Sequence, residues 1–247
     1  MAQTYFRFYE ELNDFLPPRQ RQQTFSRACA QNATVKHAIE ALGVPHTEVE
    51  LVLVNGSSVD FSYRVQDGDR VSVYPQFESL DVTPLLKVRD QPLRHTRFIV
   101  DAHLGRLAKY LRMLGFDTLY CGVHTDDQIA RIAAEERRIV LTRDRELLKH
   151  RVITHGCFVR ATSPAEQLGE ILSKLDLYRA VTPFSRCLRC NATLVRLPED
   201  AARERVPQKS ARYYREFWIC TECDQVYWQG SHWQRMQRTI DALCNKC

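Results

Sequence analysis

Two pairs of cysteines toward the C-terminal end of the chain have the spacing of metal ligands. Cys187 and Cys190 stand in the sequence RCLRCN, and Cys220 and Cys223 stand in WICTECD. In each C-x-x-C pair, one tight turn directs two thiolates at a single ion, and four such thiolates complete the tetrahedral shell of a structural Zn²⁺. Two independent pairs favour this interpretation over four cysteines that are simply buried or joined in disulfides. A closed four-cysteine site stabilises a fold without performing chemistry, so any catalysis is expected elsewhere.

Carboxylates are the second group of residues that could carry chemistry. Asp101 follows the apolar run RFIV, Asp144 follows IVLTR, and Asp127 stands at the start of an expected helix. If both runs are parallel strands of an α/β sheet, their carboxyl ends meet at one crevice, where ligands bind in such folds. Clustered carboxylates repel one another unless a divalent cation neutralises them, and oxygen ligands suit Mg²⁺ or Mn²⁺. Such ions can activate water and stabilise the leaving oxygen of a phosphodiester.

Each acid also has a simpler structural interpretation. Asp101 could cap the helix that follows it, and Asp144 could close the turn after its strand. Of the neighbouring pair, Asp126 is expected to cap the helix and Asp127 to bind the metal ion. Glu146 is either a fourth ligand or an exposed residue at a helix start. The shared position at strand ends, rather than any single residue, supports the metal-site hypothesis.

Basic residues flank these carboxylates. Arg106, Lys109 and Arg112 share the polar side of the helix after the first acid, and Arg143 directly precedes the third. A solvated helix face is the usual meaning of such charges, whereas the nearby acidic crevice makes phosphate binding an equal alternative. We expect these four cations to bind the backbone of a substrate.

Alternating strands and helices are predicted to position these residues. Apolar runs predict strands at 97–100, 117–121, 138–142 and 152–160. Helical spacing of apolar residues predicts helices at 104–114, 128–136 and 164–175. The alternation predicts an α/β fold whose parallel sheet is covered on both faces.

The N-terminal residues are expected to form a small unit of their own. Expected strands at 3–9, 24–28, 49–54 and 70–74, with a helix capped by Thr34 and ended by Gly43, suit a ubiquitin-like β-grasp fold. The stretch LVNGSSVDF, followed by VQDGDRVSVYP, resembles the small sulfur-carrier proteins of thiamin and molybdopterin synthesis, which act through a free C-terminal diglycine. Here the strand continues into QFESLDV without a diglycine, so a recognition or scaffolding role is expected. Residues 78–97, with Pro84 and Pro92, are expected to be a linker.

Composition sets limits on the class of protein. The 247 residues are 44% hydrophobic and 26% charged, as in ordinary globular proteins, and the net charge of +5 permits a nucleic-acid partner without requiring one. The start MAQTYFRF lacks the basic and apolar segments of a signal peptide, and no apolar stretch approaches the length of a membrane span. Nine cysteines, mostly in C-x-x-C pairs, suit a reducing compartment. We therefore expect a cytoplasmic protein without a membrane partner.

Five motifs, in order along the chain, resemble the Mut-seven C-terminal RNase domain family. They are FIVDAHLGRLAKYLRMLGFDT, DDQIA, IVLTRDRELL, PFSRCLRCN, and the pair Cys220 and Cys223 followed by DQVYWQGSHW. The resemblance implies a PIN-like nuclease domain with an attached zinc ribbon, preceded by a ubiquitin-like module. It assigns Asp101, Asp127 and Asp144 to the metal site. Cys244 and Cys247 lie outside the family pattern, either as a loose tail, which we favour, or as ligands of a second metal ion between chains.

These features predict three parts, a β-grasp domain at 1–80, a PIN-like α/β nuclease domain at 96–180, and a zinc ribbon with a tail at 184–247. The predicted function is hydrolysis of RNA phosphodiester bonds by a ribonuclease with catalytic Mg²⁺ or Mn²⁺ and structural Zn²⁺, whose β-grasp domain could bind a protein partner. The alternative is a non-catalytic RNA- or ribosome-binding adaptor with a degenerate PIN-like domain. In the ribbon, most of the aromatic side chains are expected to pack around the zinc site. The basic and aromatic residues that could contact single-stranded RNA are Arg189, Arg196, Trp218, Tyr227, Trp228 and Trp233.

Overall fold

The computed structural model describes residues 1–75, 87–88, 96–183 and 185–244. Its strands are β1 (Ala2–Phe8), β2 (Phe25–Cys29), β3 (Leu51–Val54), β4 (Ser57–Ser58), β5 (Arg70–Tyr74), β6 (Arg97–Asp101), β7 (Asp117–Cys121), β8 (Ile139–Thr142), β9 (Gly156–Phe158), β10 (Leu194–Leu197), β11 (Phe217–Cys220) and β12 (Val226–Trp228). Its helices are α1 (Val35–Ala41), α2 (Gly105–Met113), α3 (Asp126–Glu136), α4 (Arg145–Leu148), α5 (Pro164–Lys174), α6 (Glu199–Arg203), α7 (Gln208–Tyr213) and α8 (Ser231–Cys244). Most of the expected linker, including Pro84 and Pro92, lies outside the described residues, as does Cys247.

Contacts divide the chain into two compact units. The first comprises Met1–His95 and His124–Phe158, and the second comprises Thr96–Val123 and Val159–Cys247. Residues 124–158 belong to the first unit because they contact the N-terminal residues. The three predicted parts, 1–80, 96–180 and 184–247, stay a prediction.

The N-terminal part of the first unit is a β-grasp sheet. Its five strands have the order β2-β1-β5-β3-β4, with β1 and β5 parallel and the other pairs antiparallel. Alternate residues of β1 are buried, as expected for a strand with one face on a core, and Phe6 and Phe8 pack against α1 and its neighbours. Thr34 caps α1 by accepting a hydrogen bond from the His37 N–H, and Gly43 follows the helix with φ +94°. The predicted ubiquitin-like fold is confirmed.

The remaining part of the first unit, residues 124–158, is fixed to the residues just before β3. His46 Nε2 lies 2.8 Å from the carbonyl oxygen of Ile153, and the Glu48 carboxylate accepts a hydrogen bond from the Phe158 N–H. Strands β8 and β9 are parallel, as predicted. The predicted strand at 152–160 is reduced to β9, because the Ile153 N–H closes a turn onto the His150 carbonyl.

In the second unit, β6 and β7 are parallel and α2 connects them. Their register runs from Arg97 opposite Asp117 to Asp101 opposite Cys121. Helix α2 buries Leu107, Ala108 and Leu111. The parallel, helix-connected strands confirm the α/β class.

The C-terminal residues of the second unit add an antiparallel sheet and a final helix. The sheet has the order β10-β11-β12, and α8 follows it. Between β10 and β11 the sequence forms the two short helices α6 and α7, which bury Ala202 and Ala211 against Phe217. No helix among the residues described is both long enough and apolar enough to cross a membrane.

Candidate functional site

The four cysteines of the two C-x-x-C pairs converge in the second unit. Their sulfur atoms all lie within 4.8 Å of one another, with 3.6 Å between Cys187 and Cys223 and 3.3 Å between Cys190 and Cys220. Disulfide sulfurs would be about 2.05 Å apart, whereas a tetrahedral Zn²⁺ with bonds of about 2.3 Å holds its sulfur ligands about 3.8 Å apart. The distances therefore fit four thiolates around a metal ion.

Two turns of the same construction present these sulfurs. In each pair, the second cysteine donates its backbone N–H to the sulfur of the first at 3.5 Å. The next residue has a left-handed backbone, Asn191 with φ +73° and Asp224 with φ +55°. Asn and Asp tolerate this conformation better than other residues with a Cβ, so the sequences CLRCN and CTECD specify both turns locally.

The hydroxyl of Tyr227 is part of the cysteine cluster. It lies 3.1 Å from Cys187 Sγ and accepts a hydrogen bond from the Leu188 N–H at 3.1 Å. Burial opposes ionisation of the Cys187 thiol, but hydrogen bonds from Tyr227 and from the N–H groups of Cys190 and Arg189 outweigh it and lower the thiol pKa to about 6. Burial and the neighbouring thiols raise the pKa of Cys190 to about 12. Without a metal ion, these contacts therefore favour the thiolate at Cys187, whereas a cation must displace the proton of Cys190.

Arg112 and Asn191 fix the first turn of the cluster to α2 and β7. Arg112 is 7% exposed, and its guanidinium donates to the carbonyls of Thr118, Leu188 and Arg189 at 2.8–3.1 Å. The Asn191 side chain accepts from the Thr118 N–H and donates to a neighbouring carboxylate, both at 2.8 Å. The structure thus gives Arg112, predicted to bind substrate, a structural role.

The three predicted catalytic acids lie in two units. Asp101 ends β6 in the second unit and accepts a hydrogen bond from the Ala102 N–H. In the first unit, Asp144 caps α4 by accepting from the Glu146 N–H at 2.8 Å. Asp127 lies in the first turn of α3, with an exposed side chain. The crevice that the three acids are predicted to share stays a prediction. Among the described residues, one group of three or more His, Cys, Asp or Glu side chains has all its ligand atoms within 4.8 Å of one another, and it consists of the four cysteines.

Asp126 and Glu146 lie next to the proposed ligands in the sequence, and the prediction for one of them is wrong. The cap of α3 is Thr125, whose hydroxyl and Gln128 form a capping box, so the prediction that Asp126 caps the helix is wrong. The signal was present in the sequence, since T-x-x-Q is a capping-box pattern. Glu146 is exposed and forms an ion pair with Lys149 at 2.7 Å.

His150 contacts one of the predicted acids, although no motif in the sequence pointed to it. Its Nε2 lies 3.0 Å from the Asp127 carboxylate, while its Nδ1 is buried and has no hydrogen-bond partner in the described part of the chain. No local pattern in the sequence links two residues that are separated by β8 and α4.

The predicted substrate-binding cations other than Arg112 are exposed. Arg106 and Lys109 lie one turn apart on α2, and Arg143 follows β8 in the first unit. Their side chains are accessible to a ligand, which is consistent with the prediction without testing it.

Two family models match the chain. The model described as Mut7-C RNAse domain matches residues 96–240, and the model described as Mut7-C ubiquitin matches residues 1–81. A search of curated proteins gave no match. Among solved structures, the chain is similar to the crystal structure of H. volcanii small archaeal modifier protein 1, with 20% identity over 31% of this chain and 100% of that chain and a TM-score of 0.26.

Proposed function

The chain belongs to the Mut7-C RNAse domain family, and from this premise we propose that it is a ribonuclease that hydrolyses RNA phosphodiester bonds with Mg²⁺ or Mn²⁺. The match over residues 96–240 is the observation that carries the proposal. The matched segment contains the three acids proposed as ligands of the catalytic cation, Asp101, Asp127 and Asp144.

The donor chemistry of these acids fits a hard divalent cation. Carboxylate oxygens are the protein ligands that Mg²⁺ prefers, and the side chain of Asp127 is 89% exposed. Within the described residues, one oxygen of Asp144 is occupied by the helix cap and one oxygen of Asp127 by His150, so each acid keeps a second oxygen for a ligand.

The chain's own residues would bind and orient the substrate around this cation. When bound, Mg²⁺ or Mn²⁺ would activate water and stabilise the leaving oxygen. Arg106, Lys109 and Arg143 would contact phosphate groups, which fixes the position of an RNA without reading its sequence. His150 would orient the Asp127 carboxylate through the contact at Nε2.

We assign a structural Zn²⁺ to the four cysteines, because their sulfur distances and donor type fit its tetrahedral shell. Thiolates that bind metal persist in reducing compartments, which supports a cytoplasmic location. The match of residues 1–81 to a ubiquitin-like family supports a role of the β-grasp domain in binding a protein partner.

The proposed activity is tested with labelled RNA and purified full-length protein. We expect cleavage with Mg²⁺ or Mn²⁺, no cleavage after these ions are withheld, and no cleavage by Asp101→Asn at any ion concentration. Cleavage that Asp101→Asn retains would contradict the assignment of the acids. A protein that binds RNA but cleaves none with any divalent cation would contradict the ribonuclease proposal and favour the adaptor.

A further inference from the structure

A groove in the second unit is strongly basic. It has a volume of about 1000 Å³ and lies among α2, the start of α5, the first cysteine turn and α8. Among the described residues that line it, none is Asp or Glu, and five are Arg or Lys: Arg106, Lys109, Arg112, Arg189 and Arg235. A concave surface with one sign of charge concentrates ligands of the opposite sign, so the groove fits a polyanion.

Three of these cations are exposed to solvent. They are Arg106, Lys109 and Arg189, and no Asp or Glu in the described ranges forms an ion pair with them. Arg106 and Lys109 are three positions apart, so they lie on one face of α2. Arg189 lines the same groove, and the buried Arg112 binds its backbone carbonyl. Several cations along one groove suit the phosphate groups of a nucleic-acid strand.

A second, apolar cavity of about 260 Å³ adjoins the groove. Leu188, Tyr227 and Met236 line both cavities, and Trp228 and Trp233 line the second. Its volume lies below the roughly 300–1,000 Å³ of pockets for whole drug-sized ligands, so it suits a single ring system.

Gly230 sets the position of one wall of the apolar cavity. A Cβ at this residue would come within 2.8 Å of Trp228 Nε1, so the absence of a side chain lets the indole lie against the backbone. Both tryptophans therefore line a cavity that adjoins the basic groove.

We propose that the groove and the apolar cavity together bind single-stranded RNA, with phosphates along the basic residues and one unpaired base between the aromatic side chains. The inference rests on the proposed ribonuclease function and specifies its substrate class. Aromatic side chains stack on bases of a single strand, whereas the bases of a duplex are already paired and stacked. A strand satisfies both surfaces at once, because its charged backbone and flat bases are covalently joined.

The test measures binding of full-length, zinc-loaded protein to a fluorescent single-stranded RNA without added Mg²⁺ or Mn²⁺. Lys109→Gln should weaken binding and reduce the slope of log K against log salt by about 0.7, the value for one lost phosphate contact on a single strand. Trp233→Leu should weaken binding about tenfold without changing the slope, whereas Trp233→Phe should retain most of the affinity. A duplex of the same sequence should bind at least about tenfold more weakly than the single strand.

Two control variants match these substitutions outside both cavities. Lys209→Gln and Tyr213→Leu change an exposed lysine and an exposed tyrosine on α7, and both should bind RNA like the wild type. Zinc content and melting temperature, measured for every variant, separate lost contacts from lost folding. Because Lys109 is exposed, its substitution tests the groove even if Trp233→Leu fails to fold.

The outcomes separate this inference from the proposed activity. Unchanged binding by both Lys109→Gln and folded Trp233→Leu, or equal binding of duplex and single strand, would overturn the RNA site while leaving the ribonuclease proposal standing. Weakened binding by both variants in a protein that cleaves no RNA would support the site and contradict the ribonuclease.

Discussion

The chain contains two candidate metal sites, and they are built in different ways. The four cysteines come from two short turns, each stabilised by its own N–H to sulfur hydrogen bonds and by a left-handed Asn or Asp. The three acids come from separate elements, and each also has a local structural role or contact. The cysteine site is therefore specified by sequence over a few residues, whereas a site made of the acids depends on the tertiary fold.

This difference has consequences for substitution. A cysteine ligand holds its turn together, so its loss should damage folding. An acid in the proposed catalytic site contributes a charge that a cation needs, so its loss should damage activity while the fold persists. Four substitutions test this contrast.

Cys187→Ser should have the largest effect. The protein should lose its Zn²⁺, whose binding is worth about 10–16 kcal/mol in small zinc modules, and the ribbon should unfold. The damage should extend to α2 and β7, because Arg112 would lose the carbonyls of the turn. Metal analysis and tryptophan fluorescence measure both effects, since all three tryptophans lie between 218 and 233.

A matched control for this substitution is Cys29→Ser, which changes a buried free cysteine of the first unit. It should keep about one Zn²⁺ per chain. A fully folded wild type without zinc would contradict the assignment of the cysteines.

Asp144→Asn should abolish RNA cleavage with little effect on folding. Substituting a residue that hydrogen-bonds to a metal ligand lowers activity about 10–100-fold. Substituting the ligand itself should therefore lower activity at least about a hundredfold. Asn caps a helix about as well as Asp, so the melting temperature should hardly change. Asp200→Asn, at an exposed carboxylate on α6, is the control and should cleave like the wild type. If the Asp144 variant melts much earlier instead, the acid is a structural residue.

Arg112→Met should destabilise the second unit by about 2–4 kcal/mol, since one buried and two partly buried carbonyls would lose a charged donor. Arg112→Lys should recover only part of this free energy, because an ammonium group cannot reproduce the planar fork of a guanidinium. Urea unfolding followed by tryptophan fluorescence measures both values. An unchanged midpoint for Arg112→Met would show that these hydrogen bonds do not stabilise the ribbon.

Tyr227→Phe should have the smallest effect, a loss of about tenfold in zinc affinity. The hydroxyl helps to lower the Cys187 pKa to about 6, so the variant's thiol should hold its proton to higher pH. The affinity difference should therefore be largest below about pH 6, where the Cys187 thiol of both proteins must lose a proton to bind zinc, and it should shrink as the pH rises toward the ordinary thiol pKa of about 8.5. A competition titration with a zinc chelator across this range gives the result, and a difference that does not vary with pH would contradict the role of Tyr227.

Local signals in the sequence predicted the features that depend on neighbouring residues. The C-x-x-C spacing, the Thr34 cap, the leucine spacing of α2 and the parallel strands at β6 and β7 are all present in the structure. The capping error at Asp126 was a misreading of a local signal, since Thr125 and Gln128 form the box.

Features that depend on distant residues could not be predicted. Periodicity places Arg112 on the polar side of α2, but a turn that is 76 residues away along the chain covers it and supplies carbonyls for its guanidinium. His150 reaches Asp127 across two intervening elements. Likewise, residues 124–158 group with the N-terminal sheet because of contacts such as the hydrogen bond between His46 and the Ile153 carbonyl. No sequence motif predicts these contacts.

The most direct test of the proposed ribonuclease is anomalous diffraction from crystals of the full-length protein grown with Mn²⁺. We predict a manganese peak bonded to the carboxylates of Asp101, Asp127 and Asp144, and the same peak absent from Asp144→Asn crystals. Well-ordered carboxylates without manganese, in crystals of a protein that cleaves RNA in the same buffer, would contradict the assignment of these acids.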